Sequence, residues 1–460
     1  MLRLVATTAL RDEVTDLLQR LLRVDTTNPP GNETAASELL RDYLEANGVA
    51  CELIAKVPER ANLVARIPGD GGPSLLLLSH TDVVLADPAE WSVPPFAGEL
   101  RSDEDGRAQV WGRGALDMKG QVAASAVAIA SLAREGFRPS GDLIFAATAD
   151  EEVGEDFGLA WLCREHPDAV RCDYAINEGG GERIELEDGR PVYAATVAEK
   201  MSAPFWLRVR GRSGHASMPG IADNALVKAA RLIGRLAAFR PEPQLGPEVE
   251  GFLSVVLGEV PRAPDAVERA REISVAAAAI VEALLAPTFS PTMVSASLKR
   301  NVIPALCEVE VDCRLLPGQH PEHVEPLIRA VLDAGNIVGG ADDVQRGARG
   351  GDVDYELEWI EARGGTRSPL DTPLWRALEE WVAAAEPGAR AAPLASAGFT
   401  DSHWLREAFG TVAYGFFPAS AELPTAVAAS LIHSADERIP VSDLELGVGW
   451  LRHAAQAVLA

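Results

Sequence analysis

A run of four leucines at residues 75–78 leads directly into Ser79-His80-Thr81-Asp82, and this stretch constrains the fold more than any other. Such an apolar run after Pro73 is typical of a strand buried on both faces, as in a parallel sheet covered by helices. Strands of this kind present ligands at their carboxyl ends. His80 and Asp82 leave the same face of an extended chain, so the acid can hold the imidazole in one tautomer. We therefore interpret His80 as a metal ligand and Asp82 as its supporting acid.

Further acids lie at predicted strand ends or in a tight turn: Asp117, Glu151, Glu152 and Glu178. Asp117 belongs to Gly112-Arg113-Gly114-Ala115-Leu116-Asp117-Met118-Lys119, where glycine lets the backbone turn sharply. The other three follow apolar strands predicted at 142–148 and 174–176. Because strand ends of an open α/β sheet meet in one crevice, we expect these acids to converge with His80.

Carboxylates crowded at one edge of a sheet repel one another unless protons or cations neutralise them. Imidazole and carboxylate together suit zinc, and also cobalt or manganese. Glu151 and Glu152 are adjacent and point in different directions from an extended backbone. One of them can therefore bind metal while the other faces the substrate as a general base.

The alternation of strands and helices up to residue 200 predicts an α/β fold with a mostly parallel sheet flanked by helices. From residue 202 the pattern changes to β-α-β-β-α-β, which is typical of a small α+β, ferredoxin-like domain. A mostly helical insertion at about 241–290 interrupts it. We predict a first domain at 1–200 and 364–460, with the small domain inserted at 201–363.

Composition excludes several function classes. The chain has 460 residues and a formal net charge of −26, and so lacks the clustered cations that nucleic-acid binding requires. Its five scattered cysteines indicate neither a disulfide framework nor a cysteine zinc site, and the expected location is the cytoplasm. Residues 1–5 lack a full signal-peptide core, and the most apolar helix, at 275–286, is short and contains Glu282. No membrane association is expected.

The chain resembles the dinuclear zinc exopeptidases and acylases, the metallopeptidase family twenty that includes aminoacylase, glutamate carboxypeptidase, carnosinase and succinyl-diaminopimelate desuccinylase. The matching segments are Ser79-His80-Thr81-Asp82-Val83-Val84, Gly112-Arg113-Gly114-Ala115-Leu116-Asp117-Met118-Lys119, Asp150-Glu151-Glu152-Val153-Gly154, Asn177-Glu178-Gly179 and His433-Ser434-Ala435-Asp436-Glu437. They span nearly the full length of the chain.

The resemblance implies two Zn²⁺ ions, or Co²⁺ or Mn²⁺, bridged by Asp117. His80 and Glu178 would complete one ion's ligand set, and Glu152 and His433 the other's. Glu151 would act as the general base and Asp82 would orient His80.

The resemblance also assigns roles in the small domain, which would act as a lid or in dimerisation. His215, in Gly214-His215-Ala216, would stabilise the oxyanion of the tetrahedral intermediate, often in a neighbouring subunit's site. Asn301 and Arg314 resemble residues that contact substrate, Arg314 being suited to a bidentate hold on a carboxylate. The small domain would either form a homodimer or be covered by the 241–290 insertion.

The leading hypothesis is a zinc-dependent hydrolase that cleaves the amide bond of an N-acyl amino acid or a short peptide, of the aminoacylase, carboxypeptidase or dipeptidase type. The alternative enzyme is succinyl-diaminopimelate desuccinylase. An alternative from another class is a catalytically silent binding protein on the same fold. The complete set of ligand types and the presence of Glu151 weigh against a silent protein.

Overall fold

The computed structural model describes residues 7–154, 156–273, 275–334 and 353–460, so the signal-peptide prediction for residues 1–5 lies outside them. The helices are α1 (Thr8–Leu22), α2 (Glu33–Ala46), α3 (Lys119–Arg134), α4 (Leu159–Glu165), α5 (Pro167–Val170), α6 (Ala225–Ala238), α7 (Pro247–Leu257), α8 (Ala266–Arg271), α9 (Val275–Leu284), α10 (Pro321–Asp333), α11 (Pro373–Ala385), α12 (Ser402–Phe409), α13 (Thr425–Leu431) and α14 (Val441–Val458). The strands are β1 (Ala50–Ala55), β2 (Ala61–Ile67), β3 (Leu75–His80), β4 (Glu99–Ser102), β5 (Ala108–Trp111), β6 (Leu143–Thr148), β7 (Tyr174–Asn177), β8 (Arg183–Glu185), β9 (Pro191–Glu199), β10 (Met201–Ser202), β11 (Phe205–Arg210), β12 (Gly214–His215), β13 (Thr288–Ser295), β14 (Val302–Ile303), β15 (Leu306–Leu315), β16 (Tyr355–Trp359), β17 (Arg363–Gly364), β18 (Arg390–Ser396), β19 (Val412–Gly415) and β20 (Arg438–Pro440).

The larger sheet has the strand order β1-β2-β6-β3-β7-β19-β9-β18, and β8 pairs with β9. Its central strands β6, β3, β7 and β19 are parallel, as are β9 and β18, but β1–β2, β2–β6, β19–β9 and β8–β9 are antiparallel. The α/β class is therefore confirmed, and the sheet is mixed: the predicted parallel pairing is present at its centre, and antiparallel pairs accompany it. Residues 56–60 alone connect β1 to β2, and so short a connection permits only an antiparallel pair.

Strand β3 is buried on both faces, as its leucine run predicts. Leu75 and Leu77 belong to the core that packs with α1, α3, α11 and α14, whereas Leu76 and Leu78 belong to the core on the opposite face. The carboxyl ends of β3, β6 and β7 consequently lie side by side at one edge of the sheet. This edge carries the candidate site.

The smaller sheet has the order β16-β11-β15-β10-β17, and β13 pairs with the free side of β15. Its pairs are antiparallel, and α6 and α10 pack against it around a separate core. The chain order β11-α6-β13-β15-α10-β16 matches the predicted β-α-β-β-α-β pattern.

The helical insertion packs on the larger sheet and not on the smaller one. Phe252 and Leu253 of α7 share a core with Val192 of β9 and Leu394 of β18, and α8 and α9 complete this layer. Lys200, just after β9, donates to the carbonyl oxygens of Ala283 and Ala286 at 3.0 Å each, near the carboxyl end of α9. The insertion therefore lies between elements of the small domain in the sequence and covers the larger sheet in space. No helix of the described residues is both long and apolar enough to cross a bilayer.

Candidate metal centre

His80 is the last residue of β3, and its imidazole is buried. Its Nδ1 lies 3.0 Å from the carbonyl oxygen of Asp82 and 3.5 Å from the Asp82 carboxylate. Because a carbonyl only accepts, Nδ1 carries the hydrogen and Nε2 is left as the ligand atom. Both the backbone carbonyl and the carboxylate of Asp82 therefore lie beside Nδ1 of His80.

Asp117 lies between two histidines that are distant in sequence. Its Oδ1 is 3.2 Å from Nε2 of His80, and its Oδ2 is 3.1 Å from Nε2 of His433. Glu178 Oε2 lies 3.8 Å from Nε2 of His80, and Glu152 Oε2 lies 3.2 Å from Nε2 of His433. The donor atoms of the two groups, His80-Asp117-Glu178 and Asp117-Glu152-His433, each lie within 4.8 Å of one another. One carboxylate is shared by two potential ion sites.

The loop that carries Asp117 is held by Glu437, which is fully buried. Glu437 Oε1 accepts the backbone N–H groups of Leu116 at 2.7 Å and Asp117 at 3.0 Å. Its Oε2 accepts the N–H of Gly114 at 3.0 Å and the guanidinium of Arg113 at 2.6 Å. Four donors thus converge on one carboxylate and fix the conformation of the loop.

Asp82 positions the turn that carries the two adjacent glutamates. Its Oδ1 accepts the backbone N–H of Glu151 at 3.2 Å, and its Oδ2 accepts that of Glu152 at 3.1 Å. Asn28 Nδ2 also donates to Asp82 Oδ2 at 2.9 Å. The Glu151 carboxylate then lies 4.0 Å from Nε2 of His80, whereas that of Glu152 lies beside His433. The two glutamates therefore serve different places in the cluster, as predicted.

A buried charge network supports this turn from behind. Asp150 has a left-handed backbone with φ of 68°. Its Oδ1 accepts from Arg60 at 3.0 Å and from Asn28 at 3.1 Å. Arg60 also holds both carboxylate oxygens of Glu33, at 2.6 and 2.7 Å. Asp150 is thus held in a buried ion-pair network, although it directly precedes Glu151 and Glu152.

The electrostatics of the cluster favour bound cations. Burial raises the pKa of Glu152 to about 7, and burial together with the charge of Glu178 raises the pKa of Glu151 well above its usual value. Burial alone would lower the pKa of His80, but its acceptors Asp117 and Asp82 raise it well above the usual range. Oε1 of Glu152 is also among the buried side-chain atoms that lack a hydrogen-bond partner within the described part of the chain. This excess of acceptors fits a pair of divalent ions.

Two further buried residues, Asp401 and His403, lie at the start of α12. Asp401 is buried, burial raises its pKa to about 7, and the hydroxyl of Thr148 donates to it at 3.4 Å. His403 is buried between the rings of Phe399 and Trp404, and its Nδ1 lies 2.7 Å from the carbonyl oxygen of Thr400. Asp401 therefore borders the cluster, and His403 is held in aromatic packing.

A cavity of about 220 Å³, the first cavity, opens beside the cluster. Asp117 and Glu178 form part of its wall, and most of the remainder is apolar, including Leu116, Phe417 and Ile432. Among the described residues that line it there is no lysine, arginine or histidine.

The three small-domain candidates, His215, Asn301 and Arg314, lie in or next to strands β12, β14 and β15. Strand β12, which contains His215, pairs with β14, and the N–H of Ala216 donates to the carbonyl oxygen of Asn301 at 3.0 Å, so His215 and Asn301 are neighbours. His215 is exposed, and its Nδ1 accepts the N–H of Ser217 at 3.2 Å. Arg314 makes a bidentate pair with Asp312, at 3.0 and 2.9 Å.

Three positioning residues were missed from the sequence: Glu437, Asn28 and Arg60. Glu437 lies in the segment that begins at His433. The backbone N–H groups of the glycine-rich loop at 112–117 need acceptors, and this was a signal that a distant acceptor is present. Asn28 lies in a Pro-rich turn that gave no sign of contact with residues far along the chain.

Comparison with known proteins agrees with this geometry. Residues 76–457 match peptidase family M20/M25/M40. Aminoacylase-1 of Sus scrofa is 27% identical over 428 residues, which cover 92% of this chain and 89% of that protein. A succinyl-diaminopimelate desuccinylase of Methylobacterium sp. (strain 4-46) is 28% identical over 439 residues, with 93% and 92% covered. The structure of the metallo-carboxypeptidase Sso-CP2 from Sulfolobus solfataricus has the same fold, with a TM-score of 0.68, 19% identity, and 97% and 99% covered. The family predicted from the motifs is confirmed, and the chain belongs to peptidase family M20/M25/M40.

Proposed function

We propose that this protein is a hydrolase that uses two metal ions, most simply Zn²⁺, to cleave the amide bond of N-acyl amino acids or short peptides. The observation that carries the proposal is the Asp117 carboxylate, with one oxygen facing His80 and the other facing His433. His80 and Glu178 would complete one ion's ligand set, and Glu152 and His433 the other's.

A pair of bound divalent ions polarises the amide carbonyl and lowers the pKa of a water molecule towards neutrality. Glu151 is the base that accepts the proton of the attacking water, because its carboxylate borders the ligand His80 and its backbone is fixed by Asp82. As the new C–O bond forms and the C–N bond breaks, Glu151 delivers this proton to the leaving nitrogen.

The test is a panel of N-acetyl amino acids and dipeptides assayed with added Zn²⁺ or Co²⁺, beside two matched variants. Glu151→Gln is expected to keep its metal content and to lose turnover by about 10²–10⁴-fold. Glu152→Gln is expected to lose metal as well. Near wild-type turnover of Glu151→Gln would refute the assignment, and a metal-loaded protein that is inactive on every amide would favour the silent binding protein.

Succinyl-diaminopimelate desuccinylase remains the alternative activity, because relatives with that name match over most of the chain. The first cavity offers a succinyl carboxylate no lysine, arginine or histidine among its described lining residues, and it adds two acids, Glu182 and Asp443, that are not proposed metal ligands. The alternative is tested by assaying the succinylated substrate beside N-acetyl amino acids.

For the small domain we keep the roles implied by the motifs: His215 for oxyanion stabilisation, and Asn301 and Arg314 for substrate contact. A homodimer is supported by the edge strand β13, where Met293 and Val294 are 61% and 59% exposed. Sedimentation would test this, and a monomer at all concentrations would exclude it. The five free thiols support the expected cytoplasmic location.

A further inference from the structure

The first cavity adjoins a second cavity. Three residues on one of its sides, Gly179, Glu182 and Thr425, also line a second cavity of about 610 Å³. Gly179 directly follows Glu178 in the chain, so the shared side begins at a metal-ligand candidate. The two cavities are therefore neighbours along one path that starts at the reaction centre.

The second cavity lies between the insertion helix α9 and the larger sheet. Ile280, Ala283 and Leu284 of α9 form one wall, and Ala194 of β9 and Leu394 of β18 form the other. Small side chains at Ala283 and Ala194 leave the space that larger ones would fill. The cavity thus exists because the 241–290 insertion covers this sheet with an alanine-rich helix.

The partition between the cavities is narrow. Gly179 contributes no side chain, and Glu182 is exposed as a residue although burial raises the pKa of its carboxyl. The hydroxyl of Thr425 is fixed, because it donates to the carbonyl oxygen of Arg183 at 3.0 Å. A chain that passes from one cavity to the other would therefore run between Gly179 and Thr425 and beside the side chain of Glu182.

We propose that the two cavities together form one channel for a long, unbranched apolar acyl group on the substrate amide. The first cavity takes the carbons next to the scissile bond, and the second takes the distal end of the chain. This inference rests on the proposed amide hydrolysis and names its substrate class: amino acids or short peptides that carry a medium- or long-chain acyl group.

Size and chemistry favour an acyl chain over an amino-acid side chain. The first cavity, at about 220 Å³, lies below the roughly 300–1,000 Å³ of usual ligand pockets, whereas the second, at about 610 Å³, lies within that range. An amino-acid side chain is short enough to end within the first cavity. Only a longer chain uses the second, whose lining is mostly apolar but includes Glu182, Arg183 and Glu185. Transfer of the chain from water to the apolar part of this lining supplies the binding energy.

The first experiment is a homologous series of N-acetyl, N-butanoyl, N-octanoyl and N-lauroyl derivatives of one amino acid. We expect kcat/KM to rise about three- to fourfold per added methylene until the channel is full. Binding of acetate, octanoate and laurate to the metal-loaded protein, measured by calorimetry, is expected to follow the same order. A flat series in both measurements would overturn the proposal.

The second experiment blocks the distal cavity. Ala283→Phe is expected to remove the gain beyond short acyl groups and to leave hydrolysis of the N-acetyl substrate within about twofold. Glu282→Phe is the matched control, because Glu282 is exposed on the same helix and does not line the cavity. Ile280→Trp provides a second block if Ala283→Phe does not fold. Unchanged chain-length dependence in a folded blocking variant would contradict the channel.

The outcomes separate this inference from the proposed function. Hydrolysis of N-acetyl substrates with no effect of chain length would reject the channel and keep the amide hydrolase. Tight, Ala283→Phe-sensitive binding of laurate without hydrolysis of any amide would keep the channel and reject the hydrolase.

Discussion

Oε1 of Glu437 accepts the backbone N–H of Asp117 at 3.0 Å, although the two residues are 320 positions apart in the chain. The carboxylate that could bridge two ions is thus positioned by a residue four places after another ligand candidate, His433. The two distant segments that meet at the candidate centre also hold each other in place.

Glu437→Gln should therefore weaken metal binding. An amide in place of the carboxylate cannot accept all four hydrogen bonds, and a buried donor left without a partner costs about 1–3 kcal/mol. We expect metal affinity to fall about 10–100-fold, which competition titration with a chelator measures. Exposed Glu379→Gln is the control, and equal affinity in the two variants would contradict the role of Glu437.

Asp117→Asn and His433→Ala should differ in metal stoichiometry. Asp117 belongs to both ligand groups, whereas His433 belongs to one. We expect wild type to bind two ions, His433→Ala to retain one, and Asp117→Asn to retain none, as measured by elemental analysis after dialysis. Two ions in Asp117→Asn would show that the carboxylate does not bridge.

Removal of metal should destabilise the protein. A ligand that binds only the folded state adds stability by mass action, and the clustered acids lose their neutralising charge when the ions leave. We expect excess chelator to lower Tm and added Zn²⁺ to restore it. The same treatment of Asp117→Asn should change Tm little, and an equal shift in that variant would place the metal elsewhere.

Arg60→Met should be strongly destabilising. Arg60, Glu33 and Asp150 are all buried, so the substitution leaves two carboxylates without their cation, at a cost of about 3–5 kcal/mol. Arg20→Met is the matched control, because its pair with Asp16 is exposed and should contribute at most about 1 kcal/mol. Chemical denaturation of both variants measures the difference. Equal stability would mean that the buried network does not support the turn.

The stability conferred by Asp443 should fall as pH rises. Burial raises the pKa of this carboxyl to about 7 in the folded protein, so the folded state binds a proton more tightly than the unfolded state. The resulting stabilisation is complete below pH 4 and is lost as the pH rises through 7. Relative to Asp443→Asn, the Tm of wild type should thus fall between about pH 4 and 7. The fully exposed Asp371, changed to Asn, is the control, and parallel Tm curves for wild type and Asp443→Asn would exclude the effect.

Much of the fold could be predicted because its signals are local. The leucine run of β3 and the apolar segments of β6 and β7 depend only on neighbouring residues. The strands predicted at 142–148 and 174–176 are observed at Leu143–Thr148 and Tyr174–Asn177. The direction of the outer strands could not be predicted, because an apolar strand has the same pattern in either orientation. The sequence also did not show which sheet the 241–290 insertion packs on, because the apolar face of an amphipathic helix does not indicate its partner.

The metal-ligand candidates could be predicted from the sequence, but the residues that position them could not. His80, Asp117, Glu152, Glu178 and His433 come together because each lies in a short segment with a recognisable pattern. Asn28 and Arg60 act through contacts that span long stretches of chain, and no local pattern marks such contacts. The pairing of Arg314 with Asp312 was likewise not anticipated, although alternate residues of a strand share a face.

The packing of the insertion has a mechanical consequence. The chain crosses between the two sheets four times, at residue 200, at 239–246, at 285–287 and at 365–367, whereas a simple inserted domain crosses only twice. Four tethers restrict rotation of one sheet relative to the other more than a two-stranded hinge does. The connection at 285–287 directly follows α9, so a rotation of the smaller sheet would be transmitted to the helix that forms one wall of the second cavity.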